Sequence, residues 1–338
     1  MSAKPNTPGN RKFLLLSIIS VIGFIAAIFV NVLFPQLADI KIIPYTFFGE
    51  KLTLDMNETY RYVLIGIILM YLGIAAFSAT TPERRRKFQN RVAFRFAIGL
   101  VVALWDILGT KLLYLQQPFF PGPAKIVEAF LMETPYIITN TLYSLRLFTF
   151  GFLAGILFGI GTGILIGLFP KIYYWVFPVL KITGVIPAVA WMPFALTLSP
   201  TPFIAAVFLV VICAWFPIAF QTAQGIASTP KIHFEVARTL GAKTSFLMFR
   251  VAIPHALPNI FTGISMANGY AFTTLVMSEM MGQPGGLGYY INASRVWSAY
   301  YKVFAAIIVM AIMFSLIMRL IAFIQGKVLR WQKGLLNG

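Results

Sequence analysis

The stretch from Glu235 to Pro254 reads EVARTLGAKTSFLMFRVAIP and lies between two long apolar runs. It is polar and basic where its neighbours are apolar. A Glu-Val-Ala triplet is followed after three residues by Gly241, and after nine more by Val251-Ala-Ile-Pro254. An ordinary connecting loop is polar without such order, so this spacing calls for an explanation beyond a simple connection.

The composition around this stretch is that of a membrane protein. Apolar residues make up 59% of the chain, charged residues only 11%, and the mean hydropathy is +0.82, whereas about a quarter of the residues of a soluble domain are charged. About 20 apolar residues cross the ~30 Å hydrocarbon layer. Runs of that kind extend over 13–34, 62–78, 97–115, 145–169, 173–198, 203–226, 256–281 and 303–324. We therefore predict an all-α integral membrane protein with about eight transmembrane helices.

The formal charge of +17 is explained by membrane topology rather than by nucleic-acid binding. If the amino terminus is cytoplasmic, the inner segments hold seventeen basic and two acidic residues, and the outer segments eight basic and seven acidic ones. This is the positive-inside pattern. It predicts that both termini are cytoplasmic and that Glu235 to Pro254 is cytoplasmic too. The run from Glu83 to Lys87 is interpreted as a topogenic anchor to lipid headgroups rather than a protein-docking site.

The spacing within Glu235 to Pro254 resembles the EAA signature of ABC importer permeases, with Val236, Val251 and Ile253 as apolar replacements. From about residue 96 onward the chain resembles the nitrate, sulfonate and taurine group of that family. The other segments that carry this resemblance are Pro121-Gly-Pro123, Ser144-Leu145-Arg146, Ile186 to Pro193, and Glu279 to Gly282 with Gly286-Leu287-Gly288.

The resemblance implies a fold and an organisation. A type I ABC importer core of the MetI-like kind is expected over residues 96–338, with a coupling helix near 231–250. Residues 1–95 form two extra amino-terminal helices and a basic cytoplasmic loop. A brace, a lipid contact and an accessory-subunit site all remain open as the role of these helices.

The resemblance also implies partners and a function. The chain is expected to be a homodimeric permease of a bacterial inner membrane, working with two ATPase subunits, which carry ATP and Mg²⁺, and with an extracytoplasmic binding protein that delivers a small anion such as nitrate, sulfonate, taurine or bicarbonate. An ion-coupled secondary transporter without an ATPase is the alternative. It predicts inverted repeats and paired intramembrane acids, which the sequence does not display. A non-transporting scaffold is disfavoured by the proline-broken helices.

The chain is not expected to be an enzyme, and no catalytic or metal site is predicted. No phosphate-binding loop of the Gly-x4-Gly-Lys-Ser/Thr type occurs, so ATP must be hydrolysed by another chain. His233 and His255 are isolated from each other and from acids at metal-ligand spacing. No cofactor is assigned to this chain.

The predicted ATPase-coupling residues lie at the start of the opening stretch. Ala237 and Gly241, one turn apart, are expected to leave a shallow strip into which a partner's groove closes. Apolar contact would come from Phe234, Val236 and Leu240. Glu235 is the acidic residue of the signature. An ordinary loop is the alternative interpretation.

A row of glycines marks the fourth apolar run. At a spacing of four they share one helix face, and small residues let membrane helices approach closely. The row consists of Gly151, Gly155, Gly159, Gly163 and Gly167. We predict tight packing within the core or across a dimer axis, with a sliding surface for gating as the alternative.

Proline and charge inside the helices indicate the translocation path. Pro178, Pro187 and Pro193, with Gly184, are expected to interrupt the fifth helix, and Pro217 the sixth. Breaks in membrane helices usually line a cavity. The candidate path residues are Lys181, Pro187, Trp191, Met277 and Glu279.

Two of these path residues are charged and carry open alternatives. Lys181 would attract an anion, or would snorkel or pair with an acid such as Asp106. Glu279 would shape an outer gate with Arg295, or form an exposed loop pair with it. For Trp191 and Met277 simple packing is the alternative.

Overall fold

The computed structural model describes residues 10–35, 42–47 and 50–331, so the predicted cytoplasmic ends of the chain lie outside the described residues. Backbone contacts divide the chain into two compact units. The first comprises 1–134 with 294–305, and the second comprises 135–293 with 306–338. The domain boundary at residue 95, which followed from the resemblance, stays a prediction.

Within the described part of residues 10–134, the first unit holds five helices and a hairpin. These elements are α1 (Asn10–Leu33), β1 (Ile42–Phe47), β2 (Glu50–Asp55), α2 (Met56–Ser78), α3 (Pro82–Gln89), α4 (Val92–Asp106) and α5 (Pro123–Met132). Between the first two predicted spans, β1 and β2 pair antiparallel, with Ile42 opposite Asp55 and Phe47 opposite Glu50. The β-branched and aromatic residues of 42–47 favour such a strand, but no strand was predicted there.

The first amino-terminal helix, α1, contacts α4 backbone to backbone. Gly23 of α1 meets Gly99 of α4 so closely that a methyl group on Gly23 would lie 2.5 Å from the carbonyl oxygen of Phe96. Between membrane helices, small residues make such approaches possible. Of the three roles left open for the extra helices, this contact favours the brace.

A buried polar cluster connects the same helices. Asp106 ends α4, which continues into a π-helical turn, Ile107–Lys111. Asp106 and Lys111 are 0% and 2% exposed. The Asn31 amide donates to Asp106 Oδ2 at 3.2 Å and to Asn57 Oδ1 at 2.7 Å, and Lys111 Nζ donates to the Asn31 carbonyl at 3.0 Å. Lys111 is therefore buried, although it is one of the eight basic residues that the charge count assigned to outer segments.

The second unit is helical throughout its described part. Its elements are α6 (Thr134–Leu168), α7 (Pro170–Val185), a 3-10 turn (Ala188–Trp191), α8 (Met192–Leu198), α9 (Pro202–Ala227), α10 (Lys231–Thr239), α11 (Thr244–Phe246), a π-helical turn (Leu247–Ala252), α12 (Ile253–Met280), α13 (Leu287–Val296) and α14 (Tyr300–Val328), the last from residue 306 onward. The core is formed mainly by α6, α9 and α12.

Each of the eight predicted spans falls on helix in the described residues, and the exact number that crosses the membrane stays a prediction. Within the described residues, six helices are long and apolar enough to cross a membrane, and α7 with α8 adds a seventh if that bent pair is one span. The remaining predicted span, 256–281, does form α12. Its glycine, asparagine and threonine residues keep it less apolar than the six.

The fifth predicted helix is broken where proline predicted a break. Its two parts, α7 and the segment Ala188–Leu198, meet at 103° on either side of Ile186 and Pro187. Of the other three prolines, Pro193 lies in the first turn of α8. Pro178 and Pro217, by contrast, lie inside α7 and α9. Their predicted interruptions do not occur, since one missing hydrogen bond can be tolerated within a packed helix.

Candidate functional site

Three apolar side chains are exposed along α10, two within the helix and one, Leu240, at its C-cap. The Glu235 to Pro254 stretch begins in this helix. Ile232, Val236 and Leu240 are 57%, 51% and 83% exposed. Residues four apart lie on the same helix face, so the three form one row, which we call the α10 row. An exposed apolar row on a short helix is a surface suited to a partner's groove.

One of the predicted coupling residues, Phe234, packs against its own chain. Phe234 is half-buried and packs against the core of the second unit, so it anchors α10 to its own chain rather than facing outward. Glu235 is exposed, and Ala237 is half-buried. Ile232 was missed, although its spacing of four from Val236 was the available signal.

The predicted strip of Ala237 and Gly241 does not form on one helix. The helix ends at Thr239, and Gly241 has φ of +81°. Its N–H donates to the carbonyl of Arg238 at 2.9 Å, and the N–H of Ala242 donates to that of Ala237 at 3.0 Å. These two bonds make a Schellman motif with glycine in the left-handed position. Gly241 therefore ends the helix and turns the chain.

The segment after Gly241 connects α10 to the long helix α12. The turn Leu247–Ala252 packs against α10, and Leu247 and Ala252 are buried in the core. It continues directly into α12, with Pro254 in the first turn, where a proline is tolerated. Packed side chains thus connect α10 to α12.

A cavity of about 440 Å³ lies at the break between α7 and α8. Three elements line it: the broken segment 183–189, α9 through Ile212, Cys213 and Phe216, and α12 through Tyr270, Thr273, Thr274 and Met277. Its volume is within the ~300–1,000 Å³ of small-molecule sites. Two of the predicted path residues, Pro187 and Met277, are brought together here.

The polar groups of the cavity are uncharged. Thr273 and Thr274 donate to carbonyls of their own helix at 3.2 and 3.0 Å, and Thr274 Oγ1 also lies 3.1 Å from Cys213 Sγ. Because Pro217 has no N–H, the Cys213 carbonyl lacks its usual helical donor. Cys213, Tyr270 and the threonines were missed as candidates, since a single hydroxyl or thiol in an apolar run gives no sequence signal.

The other predicted path residues do not line this cavity. Lys181 is exposed on α7, while Asp106, one suggested partner, is hydrogen-bonded to Asn31. Trp191 is half-buried and packs against the cluster around Met192. A role for Lys181 or Trp191 in the path stays a prediction.

Glu279 has a structural position that the sequence did not indicate. Its carboxylate, 1% exposed, accepts the N–H of Gly288 at 2.8 Å, while Asn140 Oδ1 accepts that of Gly286 at 2.9 Å and Ser144 Oγ that of Leu287 at 2.8 Å. These three N–H groups open α13 and have no partner within the helix. Glu279 is thus a buried cap and not part of an exposed loop pair. A gate with Arg295 stays a prediction.

The same cluster joins two of the quoted sequence segments. Ser144 belongs to Ser144-Leu145-Arg146, and Glu279 precedes Gly286-Leu287-Gly288 by only a few residues. A methyl group on Gly288 would lie 2.7 Å from the Glu279 Cβ and 2.5 Å from the Val276 carbonyl oxygen. The glycine is therefore required by the close approach of the acid.

The glycine row of α6 packs against α9. A methyl group on each glycine would lie 2.5 to 3.0 Å from a Cβ atom of α9. In order along the row, the facing residues are Val210, Ala214, Ile218, Thr222 and Ile226. Both rows have a period of four, so the two helices remain in contact over four turns. Gly161 is also in α6 but outside the row, and it faces open space.

The fold and these sites define a class of protein, a helical membrane permease. Its broken helix lines a cavity, and a short helix in the polar connection before α12 carries an exposed apolar row. The profile described as "Binding-protein-dependent transport system inner membrane component" matches residues 151–331. The chain belongs to this family and is a transport subunit of an ABC importer, not an enzyme. The predicted family and the helical permease fold are confirmed.

Curated relatives agree with this assignment. The chain is 30% identical over 260 residues, 75% of its length and 94% of the relative's, to the putative aliphatic sulfonates transport permease protein SsuC of Bacillus subtilis. It is 27% identical over 228 residues to the nitrate import permease protein NrtB of Synechococcus elongatus, covering 63% and 78% of the two chains. The taurine transport system permease protein TauC of Escherichia coli is 26% identical over 242 residues, 69% and 87%.

Proposed function

We propose that this chain forms the translocation path for a small anionic solute, of the sulfonate, nitrate, taurine or bicarbonate kind, in an importer driven by ATP. The names of its relatives support the solute class. The ion-coupled alternative is not favoured by the family match. Because the cavity is lined by hydroxyl, thiol and apolar groups, the anion would be held there by neutral donors rather than by a lysine.

The partners that we propose follow from the α10 row. A separate ATPase subunit, carrying ATP and Mg²⁺, docks on Ile232, Val236 and Leu240. Two such subunits serve a homodimer of this chain, and an extracytoplasmic binding protein delivers the solute. The single observation that carries this proposal is the exposure of three apolar side chains on one face of a helix in a polar connection. Water is a poor environment for such a row.

The proposed mechanism uses the continuity from α10 to α12. Closure of the ATPases on ATP displaces α10, and the packed turn Leu247–Ala252 passes this displacement to α12. Since Tyr270, Thr273 and Met277 of α12 form one wall of the cavity, the displacement changes which side of the membrane the cavity faces. The chain's charge asymmetry supports an inner-membrane orientation with α10 and both termini in the cytoplasm.

The docking proposal is tested with the tagged full-length chain, purified from membranes in mild detergent. Fully burying a leucine or valine side chain is worth about 1.5–3 kcal/mol, so Leu240→Ser is expected to weaken ATPase association at least tenfold. The ATP hydrolysis by the co-purified ATPase subunit and the ATP-dependent uptake of solute should fall together. Thr239→Ala, on the same helix but off the row, is the matched control. Unchanged hydrolysis and uptake in Val236→Ser/Leu240→Ser would refute the docking role.

The cavity proposal is tested through Cys213, the single cysteine of the chain. Because it lines the cavity, a small thiol reagent should label it in the native protein, and a bound solute should slow the labelling. We expect severalfold protection by at least one of nitrate, taurine, bicarbonate or an aliphatic sulfonate in the presence of the binding protein. Absence of protection by all four, in a complex that transports one of them, would place the path elsewhere.

A further inference from the structure

A basic cleft lies in the first unit, where α2 ends and α3 and α4 begin. Its volume is about 520 Å³. Four cationic side chains line it, Arg84, Lys87, Arg91 and Arg95, and the rings of Phe77 and Phe88 form an apolar wall. The cleft lies outside residues 151–331, which match the family profile.

Arg95 is the buried member of this set. It is only 9% exposed, and its guanidinium carbon lies 4.0 Å from the Phe88 ring centroid and 5.3 Å from that of Tyr71. Its Nη1 donates to the Phe88 carbonyl over 3.4 Å. A guanidinium has five N–H donors, so this long bond uses little of its capacity. The side chain is held in place with donors to spare.

The cationic charge of the cleft is not neutralised by acids of the described chain. Lys87 pairs with Glu83 at 2.7 Å, with both side chains mostly exposed. The ion pairs among the described residues do not include Arg84, Arg91 or Arg95. A partly buried cation is costly without an opposite charge, and a bound anion would remove that cost.

The cleft lies at the depth in the membrane where lipid headgroups lie. The apolar span α2 ends at Ser78, and the apolar part of the next span begins at Val92. The cleft therefore lies at the polar ends of two membrane helices. Basic pockets at this depth match the phosphates of anionic lipids, and the rings of Phe77 and Phe88 offer a surface to the first methylene groups.

We propose that this cleft is a binding site for a phosphate group, in the form of an anionic phospholipid headgroup, with Arg91 and Arg95 as its donors. The planar fork of arginine matches two phosphate oxygens at once. This site is independent of the proposed solute path and ATPase docking. It gives the amino-terminal extension a role in lipid recognition in addition to bracing.

The test uses the full-length chain in mild detergent, titrated with phosphatidylglycerol and examined by native mass spectrometry. Arg91→Gln removes one exposed cation that lines the cleft, and Arg86→Gln removes one exposed cation of the same run that does not. We expect the dissociation constant of the tightest-bound lipid to rise about tenfold in Arg91→Gln and to stay unchanged in Arg86→Gln. Zwitterionic phosphatidylcholine should bind at least about tenfold more weakly.

Two results would overturn the proposal. Equal weakening by Arg91→Gln and Arg86→Gln would show general charge attraction without a site. Arg91-dependent binding of inorganic phosphate that displaces the lipid at millimolar concentration would make this a site for soluble phosphate instead of lipid. Arg84→Gln, a second lining variant, should weaken the lipid in the same direction as Arg91→Gln. Unchanged thermal unfolding midpoints exclude misfolding as the cause.

Discussion

Replacing Gly155 by alanine is expected to disturb the contact between α6 and α9. The added methyl group would lie 2.6 Å from the Ala214 Cβ, whereas carbon atoms pack best at about 3.5–4.0 Å. The helices must therefore separate locally by about 1 Å, and such overpacking costs about 1–3 kcal/mol. Alanine also gains about 1 kcal/mol over glycine inside a helix. The net change is a destabilisation of about 0–2 kcal/mol.

Gly161 provides the matched control for this substitution. It lies on the same helix, but nothing is within 4 Å of an added methyl group, so Gly161→Ala carries only the gain in helix propensity. The difference between the two variants isolates the steric cost. The double variant Gly155→Ala/Ala214→Gly moves the methyl group from one helix to the other and should restore most of the lost stability.

The assay is thermal unfolding of the detergent-solubilised chain, followed by the intrinsic fluorescence of its six tryptophans. At about 2–4 °C per kcal/mol, Gly155→Ala should unfold several degrees below Gly161→Ala. Equal midpoints, or a double variant no more stable than Gly155→Ala, would refute the close packing of α6 on α9.

Three further outcomes are expected. Gly241→Ala should lower ATP-dependent uptake more than Gly241→Asn, because a left-handed residue with a Cβ costs about 1–2 kcal/mol and asparagine tolerates that conformation; equal uptake would contradict the helix-end role. Glu279→Leu leaves the Gly288 N–H buried without an acceptor, which costs about 1–3 kcal/mol of stability, and should lower the unfolding midpoint. Glu279→Gln keeps an acceptor and should lower the midpoint less. The reverse order would argue against the cap. Lys111→Met removes the donor to the Asn31 carbonyl and leaves a buried polar cluster without its cation, so the midpoint should fall by an amount equivalent to about 3 kcal/mol; no change would show that the cluster does not stabilise the first unit.

Several features could be predicted because they depend on local chemistry. The glycine period of four requires a helix face that another helix approaches, and Pro187 removes a donor where the fifth helix breaks. The Glu235 to Pro254 stretch is polar between apolar runs, so a short exposed segment was expected there. In each case the residue type acts on its own backbone or its own helix face.

Other features could not be predicted from such patterns. Gly241 has the same spacing from Ala237 whether it continues the helix or ends it, and only the φ of +81° distinguishes the two. Pro178 and Pro217 have the same chemistry as Pro187, yet their helices continue through them.

The sequence by itself determined that this is a helical membrane permease of the ABC importer family, since hydropathy, charge asymmetry and motif order are properties of the chain. Only the tertiary structure decided that the glycine row faces α9, that Glu279 caps α13 together with Asn140 and Ser144, and that Pro187 and Met277 share a cavity. The physical reason is that these contacts join residues far apart in sequence. Periodicity identifies a face that must be covered, but three-dimensional packing selects what covers it.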